Sequence, residues 1–267
     1  MSGTTNRESS TPAVASGRMK KIPDATYGPF AYAYDRALGE RYFKAIRRLL
    51  DDVMRRHPAT VRTHLDVACG TGLAVRYFVE HGFLSTGVDF SMPMLAVAQE
   101  RSRRLVDADA RALPFRGSFG RITCLYDSLN HMMEPGDLVR SFGQIATLMS
   151  SESLFLFDMN HPRVYPKVWG LDEPFVDSGP DHHLEMATTF DERKQMGEAL
   201  ITGWALLPGG ERAAIRERQR QRSYEESEIV AALSQSGLTA VESKEFDPFR
   251  EGEAFKLFFV CRRTDSI

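Results

Sequence analysis

A turn of small residues between an apolar strand and an apolar helix is the first feature of this chain that could do chemistry. Leu65 and Val67 flank Asp66, and the segment 68–72 that follows contains Gly70 and Gly72. Glycines at such a turn let backbone approach a ligand closely, because no Cβ atom stands in the way. Alone, the pattern is equally typical of a plain connection between a strand and a helix.

Two carboxylates follow at the ends of the next two apolar segments. Asp89 ends one of them, and an acidic residue at this place in a Rossmann-like fold reaches the ribose hydroxyls of an adenosine. Asp109 follows the other, where a carboxylate can accept a hydrogen bond from the adenine amino group. A helix cap and a polar surface loop are the alternatives for the two residues. The ordered succession of the three features favours a nucleoside site.

The segments that must position these residues alternate between strands and helices. The patterns predict strands at 63–68, 83–90, 105–108, 120–126 and 153–159, with helices at 73–80, from Ser91 to about Arg103, and at 137–149. After residue 222 they predict a helix at 225–235 and strands at 239–246 and 255–262. Such alternation is typical of an α/β protein whose parallel sheet is covered on both faces.

Three further regions depart from this alternation. Residues 1–22 are rich in Ser, Thr, Gly and Pro and predict a disordered leader before a domain at 23–267. Apolar residues at helical spacing predict one helix from Tyr32 through Val53. Residues 160–222 predict an inserted antiparallel β segment. Within it, arginines at every second position favour a solvated edge strand over an anion site; they are Arg216, Arg218, Arg220 and Arg222.

Composition narrows the classes of function. The 267 residues include 34 Lys and Arg against 36 Asp and Glu, a net charge of −2, so no global charge attracts nucleic acid or an anionic membrane. No apolar run approaches the roughly 20 residues that span a bilayer. The three cysteines lie far apart, which favours a reducing cytoplasm over a disulfide framework. No spacing of residues indicates a metal site.

The segments 66–72, 87–91 and 109–115 together resemble the signature of class I S-adenosylmethionine-dependent methyltransferases. The resemblance runs from about Tyr34 to Arg262 and implies a Rossmann-like seven-stranded sheet whose last strand is antiparallel. The insertion at 160–222 would then form an antiparallel β lid. Ala68 departs from the pattern, since the family often has glycine there.

The resemblance also implies a set of residues for the cofactor S-adenosyl-L-methionine. Asp66 and the two glycines would approach its methionine part, Asp89 its ribose and Phe90 its adenine. The full set is Tyr27, Tyr34, Asp66, Ala68, Gly70, Gly72, Asp89, Phe90, Met94, Asp109, Ala110, Leu125 and Tyr126.

The segment 124–132 resembles the small-molecule branch of the family, which includes amino-sugar N-methyltransferases and glycine N-methyltransferase-like enzymes. The implied catalytic residues are His131, Tyr34 and Tyr126, and the implied substrate-binding residues are Asp127, Asn130, His131 and Trp169. A hydroxyl acceptor usually needs a base, for which His131 has a suitable pKa, whereas an amine needs only to arrive neutral. The acceptor atom therefore stays open. Structural roles stay open as well: Asp127 can cap a turn, His131 can start a helix and Trp169 can pack in the core.

The resulting prediction is a cytoplasmic methyltransferase that acts on a nitrogen or oxygen of a small molecule, with secondary metabolism as a candidate setting. A homodimer is compatible with the leading helix or the insertion as an interface. A non-catalytic module that binds the cofactor is one alternative. An RNA methyltransferase is another, which the net charge disfavours. A nicotinamide oxidoreductase would need a third glycine where Val75 stands.

Overall fold

The computed structural model describes residues 27–134, 136–248 and 252–266, so the predicted leader at 1–22 lies outside the described residues. In chain order the strands are β1 (Thr63–Val67), β2 (Leu84–Asp89), β3 (Leu105–Asp107), β4 (Arg121–Cys124), β5 (Leu154–Asn160), β6 (Phe175–Ser178), β7 (His182–Asp191), β8 (Met196–Leu206), β9 (Arg212–Arg222), β10 (Leu238–Phe246) and β11 (Lys256–Arg263). The α-helices are α1 (Phe30–Tyr34), α2 (Glu40–Arg56), α3 (Leu73–Glu80), α4 (Met92–Ala98), α5 (Asp137–Thr147) and α6 (Glu226–Gln235).

A seven-stranded central sheet has the order β10-β11-β5-β4-β1-β2-β3. Strand β1 pairs in parallel with β2 and β4, whereas β11 runs antiparallel to both β5 and β10. The predicted Rossmann-like sheet with an antiparallel last strand is confirmed.

Strand β5 shows why this sheet is covered on both faces. All of its residues are buried, and successive side chains point to opposite faces. Phe155 and Phe157 pack in the core on the side of α5 and α6, whereas Leu154 and Leu156 pack with residues of α2 and α3. The carboxyl ends of the parallel strands therefore meet at one edge, which is where an α/β sheet presents its ligand site.

The predicted single helix at 32–53 is wrong in one respect. A π-helical turn at Asp35–Gly39 separates α1 from α2. Gly39 permits it, because a Cβ there would lie 2.9 Å from Asp35 Oδ1 and 3.2 Å from the Tyr34 ring. Such π-turns often occur at functional sites.

Helix α4 is also shorter than predicted, since it ends at Ala98 rather than near Arg103. The chain turns there, and the guanidinium of Arg101 donates to the carbonyl oxygen of Thr71 over 2.9 Å. The contact ties the end of α4 to the glycine turn.

The insertion forms a second, antiparallel sheet with the order β6-β7-β8-β9. Strands β7, β8 and β9 were predicted, and the short edge strand β6 was not. Leading helix α1 packs on this sheet, with Phe30 and Ala33 against Leu184 and Ile201. Helix α1 and the inserted sheet thus form one apolar cluster beside the central sheet.

Candidate active site

Two cavities meet at the carboxyl edge of the central sheet. One, of about 310 Å³, is lined by the glycine turn, Asp89 and the segment 108–111, and we name it the motif cavity. The other, of about 510 Å³, is lined largely by α1, α2, β9 and the segment 164–175, and we name it the insertion cavity. Five residues line both and form what we name the shared wall: Tyr27, Tyr34, Tyr126, His131 and Gln219.

The Asp89 carboxylate organises the glycine turn. It accepts hydrogen bonds from the backbone N–H of Gly70 and of Ser91, each over 2.8 Å. Ala68, Gly70 and Gly72 have φ of 55°, 53° and 82°, so the turn stands in the left-handed region that glycine adopts without strain. Burial raises the pKa of Asp89, and the backbone bonds oppose that effect. The turn and its acidic partner are thus one unit.

Asp66 lies beneath this turn, at the end of β1. Its carboxylate accepts a hydrogen bond from the Thr123 hydroxyl over 2.5 Å, and burial raises its pKa to about 7. Asp66 can therefore change protonation near neutral pH at the floor of the motif cavity.

The far side of the motif cavity suits an adenosine. Phe90 exposes 56% of its surface there, unusual for a large aromatic residue and apt for stacking on a base. Asp109 is oriented by Arg111, whose Nε lies 2.9 Å from Oδ1, and this contact lowers the pKa of Asp109. A charged, oriented carboxylate can accept hydrogen bonds from an amino group. With the backbone of Gly70, these residues fit the nucleoside part of the predicted cofactor.

The structure brings all but one of the predicted cofactor residues to the motif cavity. Gly72 is the exception. Gly72 is the N-cap of α3, and a Cβ there would lie 3.3 Å from the Cβ of Ala98, so it packs the turn against α4.

The shared wall has three tyrosines, and the backbone is strained at Tyr126 and at the adjoining Asp127. Tyr126 and Asp127 have φ of 64° and 48°, a conformation costly for residues with side chains. Asp158 of β5 holds them, since its carboxylate accepts from both backbone N–H groups, over 2.7 and 3.0 Å, and from the Tyr42 hydroxyl over 2.7 Å. Sequence reasoning missed Asp158. The available signal was one acidic residue in the otherwise apolar run 154–159.

The two wall tyrosines that were predicted to be catalytic are not set up as bases. Burial raises the pKa of Tyr34 and of Tyr126 well above the ordinary value, so both phenols are protonated at neutral pH. The Tyr126 hydroxyl donates to the carbonyl oxygen of Gly39 over 2.9 Å, which links the wall to the π-turn. Their contribution is shape, aromatic surface and hydrogen bonding.

Four polar residues of the insertion cavity form what we name its polar floor: Asp127, His131, Gln221 and Lys256. His131 faces Gln221 there. The Gln221 Oε1 accepts from Asn160 Nδ2 over 2.7 Å, which turns its Nε2 toward Asp127 Oδ2 at 2.5 Å and His131 Nε2 at 3.4 Å. Because that amide nitrogen can only donate, His131 Nε2 must accept. Burial lowers the pKa of His131, against the raising effects of Asp127 and of a hydrogen bond with the Arg220 backbone. The network therefore favours a neutral imidazole whose Nε2 lone pair accepts from Gln221.

Lys256 completes the floor and was also missed. Its ammonium pairs with Asp127 and lies 3.7 Å from Asp158 Oδ2 and 4.9 Å from the centre of the Tyr42 ring. A buried lysine is tolerated here because two carboxylates surround it. Asp127 is thus held by Lys256 and Gln221 together.

Of the residues predicted to bind substrate, Asp127, His131 and Trp169 line the insertion cavity and Asn130 does not. Asn130 is fully buried. Its amide donates to the carbonyl oxygen of Arg222 and accepts from the backbone of Asn160, both over 2.9 Å. The predicted substrate contact of Asn130 is therefore corrected to a structural tie between strands.

Strand β9 contributes residues to both cavities, which its row of arginines did not predict. Arg218 and Arg220 are exposed and pair with Glu198, over 2.8 and 2.9 Å, while reaching the rim of the motif cavity. The residues that alternate with these arginines, Gln219 and Gln221, face the cavities. Polar residues on both faces of one strand were the overlooked signal.

A second contact ties the leading segment to the glycine turn. Asp35 of the π-turn accepts from the Thr71 hydroxyl over 2.5 Å and from Arg101 over 2.7 Å. Both charged side chains are only 13% exposed. We name these three residues the Asp35 clamp. It fixes α1, which carries Tyr34, over the motif cavity.

Within the ranges that the structure describes, no cluster of three or more His, Cys, Asp or Glu side chains could hold a metal ion. None of the described helices has the length and apolar character needed to cross a membrane.

Comparison with known proteins assigns part of this chain to a known family. Residues 65–152 match the family described as methyltransferase domain, so the chain carries that domain, and its assignment as an S-adenosylmethionine-dependent methyltransferase is confirmed. A protein of Geobacillus sp. (strain WCH70), provisionally named a methyltransferase, is 28% identical over 89% of this chain and 100% of its own length.

Two further similarities are more specific. A dTDP-3-amino-3,6-dideoxy-alpha-D-glucopyranose N,N-dimethyltransferase of Streptomyces fradiae is 31% identical, over 43% of this chain and 48% of its own. The sugar N-methyltransferase KedS8 from Streptoalloteichus sp. ATCC 53650 superposes with a TM-score of 0.69 at 21% identity, covering 94% of this chain and all of its own.

Proposed function

We propose that this protein transfers a methyl group from S-adenosyl-L-methionine to a nitrogen or oxygen of a small molecule in the cytoplasm. The observation that carries the proposal is the shared wall, where a cavity suited to the cofactor meets a second cavity with a polar floor. The names of relatives support a small acceptor, since they include the sugar N-methyltransferases above and ubiquinone biosynthesis O-methyltransferases.

The residues of the wall and floor supply positioning and proton transfer. The cofactor brings a methyl group on a cationic sulfur with a good leaving group, so much of the catalysis is orientation. Aromatic faces of Tyr34 and Tyr126 favour a cation beside them. The Nε2 lone pair of His131, which accepts from the Gln221 amide in this structure, can take the proton that an acceptor hydroxyl or ammonium releases when the acceptor displaces that amide.

The test is transfer of a labelled methyl group from S-adenosyl-L-methionine to a panel of small amines and alcohols and to cell extracts, with products identified by mass spectrometry. We expect label in a small molecule. Cofactor binding without transfer to any acceptor would support the non-catalytic module instead. Label in RNA would support the RNA methyltransferase.

A further inference from the structure

Large apolar side chains are exposed at the mouth of the insertion cavity. Val168, Leu171 and Phe175 expose 41%, 53% and 38% of their surfaces and all line the cavity. Contiguous exposed apolar surface beside a cavity is a mark of a binding site rather than of random surface composition. With Trp169 they form what we name the apolar rim.

The rim is a built surface. Trp169 lies directly on Gly197 of β8, where an added Cβ would come within 2.5 Å of its ring. Tyr165 packs beside it with ring centres 5.4 Å apart, and Phe190 stacks on Tyr165 at the same distance. Glycine at 197 thus leaves room for the indole on the sheet, so the Trp169 part of the rim is packed in place.

The charges of the cavity do not suit a strongly anionic ligand. Its described lining includes two carboxylates, Asp127 and Glu173, and two cations, Arg41 and Lys256. Lys256 is paired with Asp127, and Arg41 is engaged in an interaction of its own. A nucleoside diphosphate is typically bound by arginine and lysine side chains that are available for its phosphates. The described lining of this cavity has as many carboxylates as cations, so it has no excess of positive charge for such a group.

We propose that the acceptor is an amphipathic molecule with a flat apolar body on the apolar rim and a head rich in hydroxyl or amine groups on the polar floor, rather than a nucleotide-linked sugar. The inference rests on the proposed function and names its substrate class. The apolar rim and His131 line the same cavity. An acceptor whose reacting group lies at His131 therefore places its own apolar part on the rim.

Three probes that share one amino sugar test the proposal by isothermal titration calorimetry: glucosamine, 2-naphthyl glucosaminide and UDP-glucosamine. We expect the naphthyl compound to bind at least tenfold more tightly than either of the others. Equal or tighter binding of UDP-glucosamine overturns the proposal, as does a naphthyl compound that shows no binding at millimolar concentration.

A matched pair of variants locates the effect. Leu171→Ser is expected to weaken binding of the naphthyl compound about tenfold and to leave glucosamine unaffected. Leu206→Ser, at an exposed leucine of β8 outside the cavity lining, should change neither. If Leu171→Ser leaves naphthyl affinity intact but changes the elution volume in size-exclusion chromatography, the rim is an interface between copies and the proposal fails.

Titration with S-adenosyl-L-methionine distinguishes failure of the proposed function from failure of the proposed substrate class. A protein that prefers the naphthyl compound but binds no cofactor contradicts the proposed function and leaves the apolar rim as a binding site. A protein that binds cofactor and methylates UDP-glucosamine best keeps the proposed function and overturns the inference.

Discussion

The motif cavity and the insertion cavity are built in different ways. The first is built around the glycine turn and the ends of adjacent parallel strands, with Asp89 fixing the turn through two N–H groups. The second is formed by side chains from distant parts of the chain, which meet around Asp127: Gln221 from β9 and Lys256 from β11. A common cofactor can be held by a repeated local pattern, whereas an individual acceptor needs contacts that only the folded chain assembles.

The largest effect is expected where the two cavities meet. His131→Ala should lower kcat by about 10²- to 10⁴-fold, the usual contribution of a general base, and change cofactor affinity little. His161→Gln, at a histidine outside both cavities, is the control. A His131→Ala enzyme with kcat within twofold of wild type would contradict the assigned base.

The pH dependence of the wild type follows from the same residue. Because the neutral imidazole is the active form, kcat should rise with pH as His131 loses its proton. Burial lowers the pKa of His131, so the midpoint of this rise should fall below the ordinary value for histidine. A midpoint above that value contradicts the neutral imidazole.

Gln221→Glu tests whether the floor of the insertion cavity sets the state of His131. A carboxylate at the position of the amide stabilises the imidazolium, which raises the pKa of His131 and moves the rise of kcat up by about one pH unit. Gln99→Glu, at an exposed glutamine after α4, adds the same charge and should not move it. An unchanged profile for Gln221→Glu would show that the network does not act on His131.

Asp35→Asn tests the contact between the leading segment and the motif cavity. The variant leaves the buried Arg101 without its carboxylate, so the clamp loosens. We expect cofactor affinity to fall about three- to tenfold and amide hydrogen exchange to quicken at 27–39. Asp52→Asn, on the exposed side of α2, is the control. Unchanged exchange at 27–39 would contradict the clamp.

The smallest effect is expected on the outer face of β9. Arg218→Ser removes an exposed ion pair with Glu198, a contact whose usual contribution is about 0–1 kcal/mol. Cofactor affinity and thermal stability should stay close to wild type in calorimetry. A tenfold loss of cofactor affinity would instead assign Arg218 a role at the rim of the motif cavity.

The sequence predicted the residues of the motif cavity better than those of the insertion cavity. The central sheet and the glycine turn were predictable, because strand alternation, small residues and an acidic partner are local patterns. Asp158, Lys256 and Gln221 were not, since each acts through partners far away in sequence. The π-turn at Gly39 was hidden because its helical spacing resembles that of an unbroken helix. Asn130 was misassigned because Ser128 and His131 on either side of it line a cavity, whereas its own amide is satisfied by other strands.

The most direct test of the central claim is calorimetric titration of S-adenosyl-L-methionine into the wild type, Asp89→Ala and Asp107→Ala. We expect the wild type and Asp107→Ala, at an exposed carboxylate of β3 outside both cavities, to bind alike. Asp89→Ala should bind at least about 100-fold more weakly, because it loses a charged acceptor that orders Gly70 and Ser91. A wild type that shows no binding at millimolar cofactor contradicts the account.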